Sequence, residues 1–445
     1  MSQPVTDDNP RMIAYRTLAA VTEDDAYANL VLPRMLDHHR LPHRDAAFAT
    51  ELAYGSLRLR GTLDAIISKA ARRDLTAIEP AVLDVLRLGA YQLLRTRVAH
   101  HAAVDTSVSL ARTVVGHRVA GFVNAVLRKV AQRDAGAWLD MLVTGDDIAD
   151  LGLEFAHPTW VVERFDEALG GDESELIAAL GADNDAPAVH LCARPGRIEA
   201  SELAARVDGH RGDWSPYAVY MPHGSPGDVD AVRSGAAHVQ DEGSQLMAAA
   251  LVDAPLDGSD TRWLDLCAGP GGKAGLLGAV AATRGAHVTA VELSRHRADL
   301  VTGATRGLPV EVVCADGREF TAAEPFDRVL VDAPCTGLGA LRRRPEARWR
   351  KNPSDVARLV SLQRELLAAA LRLVRQGGVV AYVTCSPVVA ETDDVVAAEA
   401  GAAELLDFRK VLPGRVEMLG AGPTVRLWPH RHGTDAMFGA LLLRR

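Results

Sequence analysis

Apolar residues from Arg11 to Arg133 recur at spacings of three and four, as in "RMIAYRTLAAV", "TAIEPAVLDVLRLGAYQLLRT" and "GFVNAVLRKVAQR". Residues so spaced share one face of a helix, so this stretch is predicted to form an all-helical bundle. Short links near Leu41–Arg44 and Gly116–His117 suit helix–helix turns, and the Gly- and Asp-containing stretch Gly145–Gly152 is expected to end the bundle. Between Pro187 and Val239 the pattern changes. "PAVHLCARP" and "WSPYAVYMP" read as strands, and "EASELAARV" and "DVDAVRSG" as short helices, which predicts a small α+β domain. From Asp241 onward the apolar runs "RWLDLCA", "HVTAVEL", "VEVVCAD", "DRVLVDAP" and "GVVAYVTCS" alternate with helical or loop sequence. Such alternation predicts a doubly wound, mostly parallel α/β sheet of Rossmann-like type. The expected domains are thus residues 1–145, 146–238 and 239–445.

Composition narrows the class. A chain of 445 residues is too long for one core, and 48% hydrophobic with 24% charged residues is ordinary for a globular protein. Aromatics at 5% favour helices and α/β units over a β-sandwich. No run of about 18 apolar residues is present, and Met1–Arg16 lacks a basic stretch leading into an apolar one. A cytoplasmic protein with no membrane partner is expected. Cys192, Cys267, Cys314, Cys335 and Cys385 are odd in number and far apart, which argues against a disulfide framework. No compact Cys/His cluster suggests zinc, and no metal is expected. The net charge of −9 hides a division: residues 1–133 carry 18 Lys and Arg against 13 Asp and Glu, an excess of +5, so the remainder carries −14. A basic N-terminal third permits a nucleic-acid partner, although such an excess is more often a solvated surface.

"LDLCAGPGGKAGLLGAV" (Leu264–Val280) is an apolar strand, a glycine-rich turn and a helix. Gly269, Gly271 and Gly272 leave room for a ligand against the backbone, and the helix start offers free N–H groups. A Walker A loop is excluded, because Cys267 stands where its first glycine belongs and Ala274 follows Lys273. About twenty residues on, "HVTAVEL" ends in Glu292, placed to accept hydrogen bonds from ribose hydroxyls. Asp316 ends the third strand, where a carboxylate reaches an adenine amino group. A dinucleotide is compatible with these three features, and the next motif decides against it.

Asp332-Ala-Pro-Cys335 and Thr384-Cys385-Ser386-Pro387 each follow an apolar strand, at the carboxyl edge where this architecture binds ligands. Most free cysteines are small buried hydrophobes. That reading is given to Cys192 and Cys314, and Cys267 is read as packing in the cofactor loop. For Cys335 and Cys385 the strand-end position points to chemistry. Arg342, Arg343, Arg344, Arg348, Arg350 and Lys351 follow within ten positions and suit phosphate contacts with RNA.

DLCAGPGGK, DAPCTG and YVTCSP, in this order, resemble the RNA cytosine-C5 methyltransferases of the Nol–Nop–Sun group. "HVQDEGSQL" and "LWPHRHGTDAMFGALL" resemble that group's flanking motifs, and the latter accounts for His430 and His432 without a metal. The N-terminal helices, with "FVNAVLRK", are similar to the NusB-like RNA-binding domain. The combination is similar to the RsmB/Fmu subfamily and covers nearly the whole chain. The resemblance implies an S-adenosyl-L-methionine-dependent methyltransferase forming 5-methylcytosine in 16S ribosomal RNA through a covalent bond from cysteine to C6. It implies Cys385 as nucleophile, Cys335 as the group assisting product release, and Asp332 facing the base. Cys267, Ala268, Gly269, Pro270, Gly271, Gly272, Lys273, Glu292, Asp316 and Asp332 would hold the cofactor. Small-subunit ribosomal RNA is the implied partner, and a monomer is expected. The family often has Ala where Gly269 stands, Asp where Glu292 stands, Ser where Thr336 stands, and Asn where Thr392 follows Glu391. A transfer-RNA target involves the same chemistry, and an RNA-binding assembly protein with a vestigial catalytic half is the rival of another class. An amine methyltransferase would carry Asn/Asp-Pro-Pro-aromatic at the fourth motif, which Asp-Ala-Pro-Cys does not match.

Overall fold

The structure, a computed structural model, describes residues 6–399, 401, 403–412 and 419–445. Its packing divides the chain into two compact units. One holds the chain up to Asp166, Asp172–Asp185 and Leu341–Arg350; the other holds Glu167–Gly171, Ala186–Ala340 and Lys351–Arg445.

The first unit is built from α1 (Pro10–Glu23), α2 (Ala28–His39), α3 (His43–Arg58), α4 (Arg60–Ala71), α5 (Pro80–Arg95), α6 (His100–Val114), α7 (Ala120–Val130), α8 (Ala135–Leu139), α9 (Asp147–Glu154), α10 (Thr159–Leu169) and α11 (Glu173–Ala182). Local chemistry sets several starts. Asn9, Asp134, Asp146 and Asp172 accept hydrogen bonds from first-turn amides, and Pro10 and Pro80 open helices where no amide hydrogen is needed. The periodic apolar positions form the core: Ile13, Leu52, Ile67, Val85, Leu86, Leu127 and Trp138 are all buried. Each such large side chain contributes roughly 1.5–3 kcal/mol by leaving water. That packing holds helices too short to persist alone.

The unit departs from expectation in two ways. Helices continue to Ala182, and Asp146 caps α9, so Gly145–Gly152 contains a helix start rather than the end of the bundle. The main boundary accordingly falls between Asp185 and Ala186, not between 145 and 146. In addition, Leu341–Arg350 returns to this unit from far downstream.

The second unit opens with β1 (Val189–Ala193), α12 (Ala200–Arg206), β2 (His210–Arg211), β3 (Ala218–Met221), α13 (Asp230–Arg233) and β4 (Ala237–Val239), whose strands form an antiparallel sheet in the order β2-β3-β1-β4. Then come α14 (Glu242–Asp253), β5 (Arg262–Asp265), α15 (Gly272–Arg284), β6 (His287–Glu292), α16 (Arg295–Ala304), β7 (Val310–Cys314) and β8 (Phe326–Asp332). The four-residue α17 (Ala347–Arg350) belongs to the helical unit, and α18 (Pro353–Leu373), β9 (Val374–Thr384), α19 (Asp393–Ala398), β10 (Ala403–Leu406), β11 (Val425–Arg426), α20 (Pro429–His432) and β12 (Phe438–Arg444) complete the chain. The large sheet runs β10-β12-β9-β8-β5-β6-β7, with β11 also on β12. Strands β5 to β9 pair in parallel, whereas β10, β11 and β12 pair antiparallel.

Alternate side chains of the central strands face opposite layers. Leu330, Val379 and Ala381 join the core that holds α14 and α15, while Val329, Val331, Val380 and Tyr382 join the core that holds α18. Burial on both faces explains why these strands read as unbroken apolar runs. Strand β5 lies between β6 and β8, so the strand order reverses there, and the carboxyl ends of those three strands are where a sheet of this kind binds ligands. Among the described residues, no helix is long and apolar enough to cross a membrane.

Candidate active site

The turn after β5 is one that only small residues permit. Gly271 has φ 111°, and a Cβ there would stand 2.7 Å from the Ala304 methyl. A Cβ on Gly269 would run into Glu292 Oε2. Glu292, at the end of β6, accepts hydrogen bonds from Gly269 N at 3.0 Å and Ser294 N at 2.9 Å. Arg297 clasps the same turn by donating to Gly269 O at 2.5 Å. Asp316, two residues past β7, is held by Arg318, whose Nη2 lies 2.6 Å from Asp316 Oδ2. The hydrogen bond from Arg318 keeps this carboxyl below its ordinary range.

Behind the turn sits a buried charge cluster. Lys273 Nζ donates to Asp332 Oδ2 at 2.7 Å. Burial alone would lower the Lys273 ammonium, but the Asp332 charge and hydrogen bond raise it above its usual value. Asp265, at the end of β5, is fully buried, and neither carboxylate oxygen has a hydrogen-bond partner. Burial, then the Asp332 charge, push it up to about 7 against the pull of Lys273.

The parallel register of β8 and β9 places Asp332 opposite Val383, and Ala333 N donates to Val383 O at 2.9 Å. Cys335 and Cys385 follow those partners by three and two residues, and their sulfurs lie 3.5 Å apart. Gly339 N donates to Cys385 O at 2.9 Å and Ala436 N to Gly339 O at 2.8 Å, so the C-terminal motif pins the loop after Cys335. The hydrogen bond with Cys385, then burial, hold the Cys335 thiol well above its ordinary range.

With this geometry the chain was compared with known proteins. A model of the family described as 16S rRNA methyltransferase RsmB/F matches residues 250–443, and the NusB family model matches residues 8–132. The ribosomal RNA small subunit methyltransferase B of Yersinia enterocolitica is 30% identical over 98% of this chain and 99% of its own. The chain belongs to the RsmB/F family. A Mycobacterium tuberculosis protein carrying a provisional methyltransferase name is 56% identical to this family member over 98% of the chain and 97% of its own. The crystal structure of PH0851, 21% identical, shares the fold across 100% of both chains with a TM-score of 0.80. As an RsmB/F protein the chain is an S-adenosylmethionine-dependent methyltransferase with a NusB-like helical domain. Its residues fit that cofactor: a turn a Cβ would block, strand-end carboxylates at Glu292 and Asp316, and an unpartnered buried acid at Asp265.

For this RsmB/F-family chain Cys267 to Lys273, Glu292, Asp316, Asp332, Cys335 and Cys385 all lie in one unit, at or within three residues of strand ends or in the turn after β5. Cys267 packs against the α18-side core, and Cys192 is buried. Cys314 corrects the reading given to it: it is exposed, because the strand that carries it, β7, is the sheet edge. The basic run also needs correction. Arg348 is fully buried in the helical unit, donating to the carbonyls of Arg58, Ala156 and Asp183 and to Asn184 Oδ1. Arg342 is buried, and Arg350 donates to Val21 O and Ala26 O. Buried guanidinia whose hydrogens serve carbonyls do not face phosphate. Of the six, only Arg344 is exposed; Arg343 and Lys351 are half-buried. One residue the sequence did not single out emerges here, Asp265. For Asp265 the available signal was an acid closing the strand before the glycine turn.

Proposed function

We propose that this protein methylates carbon 5 of a cytosine in 16S ribosomal RNA, with Cys385 as nucleophile and Cys335 as the release group. The observation that carries this reading is the 3.5 Å approach of two sulfurs at the ends of adjacent parallel strands. When bound, S-adenosylmethionine supplies an electrophilic methyl group on a sulfonium. The turn Cys267–Lys273 with Glu292 and Asp316 would hold it. C5 of cytosine is a weak nucleophile. Addition of the Cys385 thiolate to C6 pushes electron density onto C5 and N3. Asp332, paired with Lys273, would meet the N3 edge and, in its protonated form, donate to N3 and so neutralise that charge.

Once C5 carries both its methyl group and its original hydrogen, the adduct must be undone. Cys335 accepts the C5 proton, the electrons of that C–H bond restore the C5–C6 double bond, and the Cys385 sulfur departs. In the resting pair the hydrogen bond with Cys385 is the first cause that holds the Cys335 thiol above its ordinary range. Bonding of Cys385 to carbon removes that cause, so Cys335 loses its proton to solvent more readily when a base is needed. The cytosine must be unstacked to expose its ring face.

Bisulfite mapping of ribosomal RNA from a deletion strain tests the substrate. Loss of one 5-methylcytosine from 16S rRNA, restored by the wild-type gene and not by Cys385→Ala, is the expected result. An unchanged 16S map, or a loss confined to transfer RNA, would overturn it.

A further inference from the structure

The loop after Cys385 carries a carboxylate for which the chemistry above has no use. Glu391 is 0% exposed, and four donors surround it. Oε1 accepts from Thr336 N at 2.8 Å and Gln363 Nε2 at 3.1 Å. Oε2 accepts from Thr336 Oγ1 at 2.5 Å and Ser386 Oγ at 2.6 Å. Thr336 directly follows Cys335, and Ser386 directly follows Cys385. Thr336 Oγ1 and Ser386 Oγ also lie 3.1 Å apart, and Gln363 Nε2, from α18, reaches Pro334 O at 2.9 Å. The Tyr382 hydroxyl, on β9, donates to the Glu391 carbonyl at 2.8 Å.

A buried carboxylate is costly unless its lone pairs are filled. Here all the donors come from the two cysteine loops and the helix beneath them. We infer that Glu391 is a positioning residue that clamps the Cys335 and Cys385 loops together and so sets the distance between release group and nucleophile. The inference rests on the two-cysteine reading. Unlike a mere fold support, the clamp acts on one step: Cys385 can still reach C6 when the loops drift, but Cys335 must meet the C5 hydrogen of a substrate fixed to its neighbour. The Glu391 charge also raises the Cys335 thiol, so its loss lowers the pH at which release begins.

The test is single-turnover methylation of 16S rRNA by the full-length protein, with covalent protein–RNA complex read on a denaturing gel. Glu391→Gln keeps the shape and removes the charge. It should lower turnover by about 10–100-fold while leaving the KM for RNA within about twofold. Adduct should accumulate as in Cys335→Ala, the double variant should accumulate no more than Cys335→Ala alone, and the pH profile of release should move to lower pH. Should Glu391→Gln not fold, Thr336→Val and Ser386→Ala, which each remove one donor, should show the same pattern more weakly, with Thr336→Ser recovering turnover over Thr336→Val. Adduct in Cys335→Ala but none in the Glu391 or donor variants would overturn the clamp alone. No adduct in Cys335→Ala would overturn the cysteine roles and the clamp with them.

Discussion

A methyl group at Gly269 would run into the Glu292 carboxylate, so the bare turn and the length of the acid closing β6 depend on each other. Ala in place of Gly269 and Asp in place of Glu292 would together set a larger turn residue against a shorter acid. Gly269→Ala alone should therefore weaken S-adenosylmethionine binding by about 1–3 kcal/mol, the usual range for forced overpacking. Adding Glu292→Asp should recover most of it by calorimetry, whereas additive losses would contradict the coupling. Asp265 gives a pH prediction. Its carboxyl is raised to about 7 in the fold, above its unfolded value, so its stabilisation is complete below about pH 4 and is lost as pH rises through about 7. Asp265→Asn should gain stability relative to the parent across that window in denaturant titrations without cofactor. A constant difference between the two proteins would show that Asp265 does not titrate there. The burial of Asp265 and the role of Glu391 were not legible in the sequence, although an acid before the glycine turn marked the first, because burial and donor count arise only when distant elements meet. The two cysteines were legible, since each closes an apolar strand beside proline and small polar residues.

Strands buried on both faces announce themselves: β5, β6, β8 and β9 each coincide with an apolar run read from the sequence, as does the half-exposed edge strand β7. Strand β12 is as apolar and as buried, yet its sequence was read only as part of a C-terminal flanking motif. The basic run misled for a different reason. Six cations in ten positions look like a phosphate surface, yet the carbonyls that take up Arg348 belong to residues 165 to 290 positions away. Arg348→Ala would strand those carbonyls in the interior. It should cost roughly 3 kcal/mol or more of unfolding free energy, from several buried acceptors at about 1–3 kcal/mol each. Arg344→Ala, at an exposed position, should stay within about 0.5 kcal/mol. Equal stability of the two variants in urea titrations would contradict the buried role.

The whole molecule divides by packing rather than by sequence order. All the residues assigned to the cofactor lie in the second unit, whereas Leu341–Arg350 belongs with the helices. Removing residues 1–140 would take away Arg58 O, Val21 O and Ala26 O, which serve Arg348 and Arg350, and Ala28 N, which donates to Glu346. The truncated protein should keep cofactor affinity within about threefold by calorimetry, yet lose methylation, since a segment starting six residues after Cys335 has lost its anchors. Retained turnover would contradict that dependence. The all-helical and α/β character was legible from period alone. The boundary was not, because helices α9 to α11 are short and a returning segment leaves no mark on local sequence.

The central claim is that one sulfur bonds to the base and the other releases it. Incubation of Cys335→Ala with 16S rRNA and S-adenosylmethionine, followed by denaturing electrophoresis and peptide mapping, addresses both halves at once. The expected result is a slow-migrating protein–RNA band whose cross-linked peptide contains Cys385. Normal turnover without that band, or a cross-link at another residue, would contradict it.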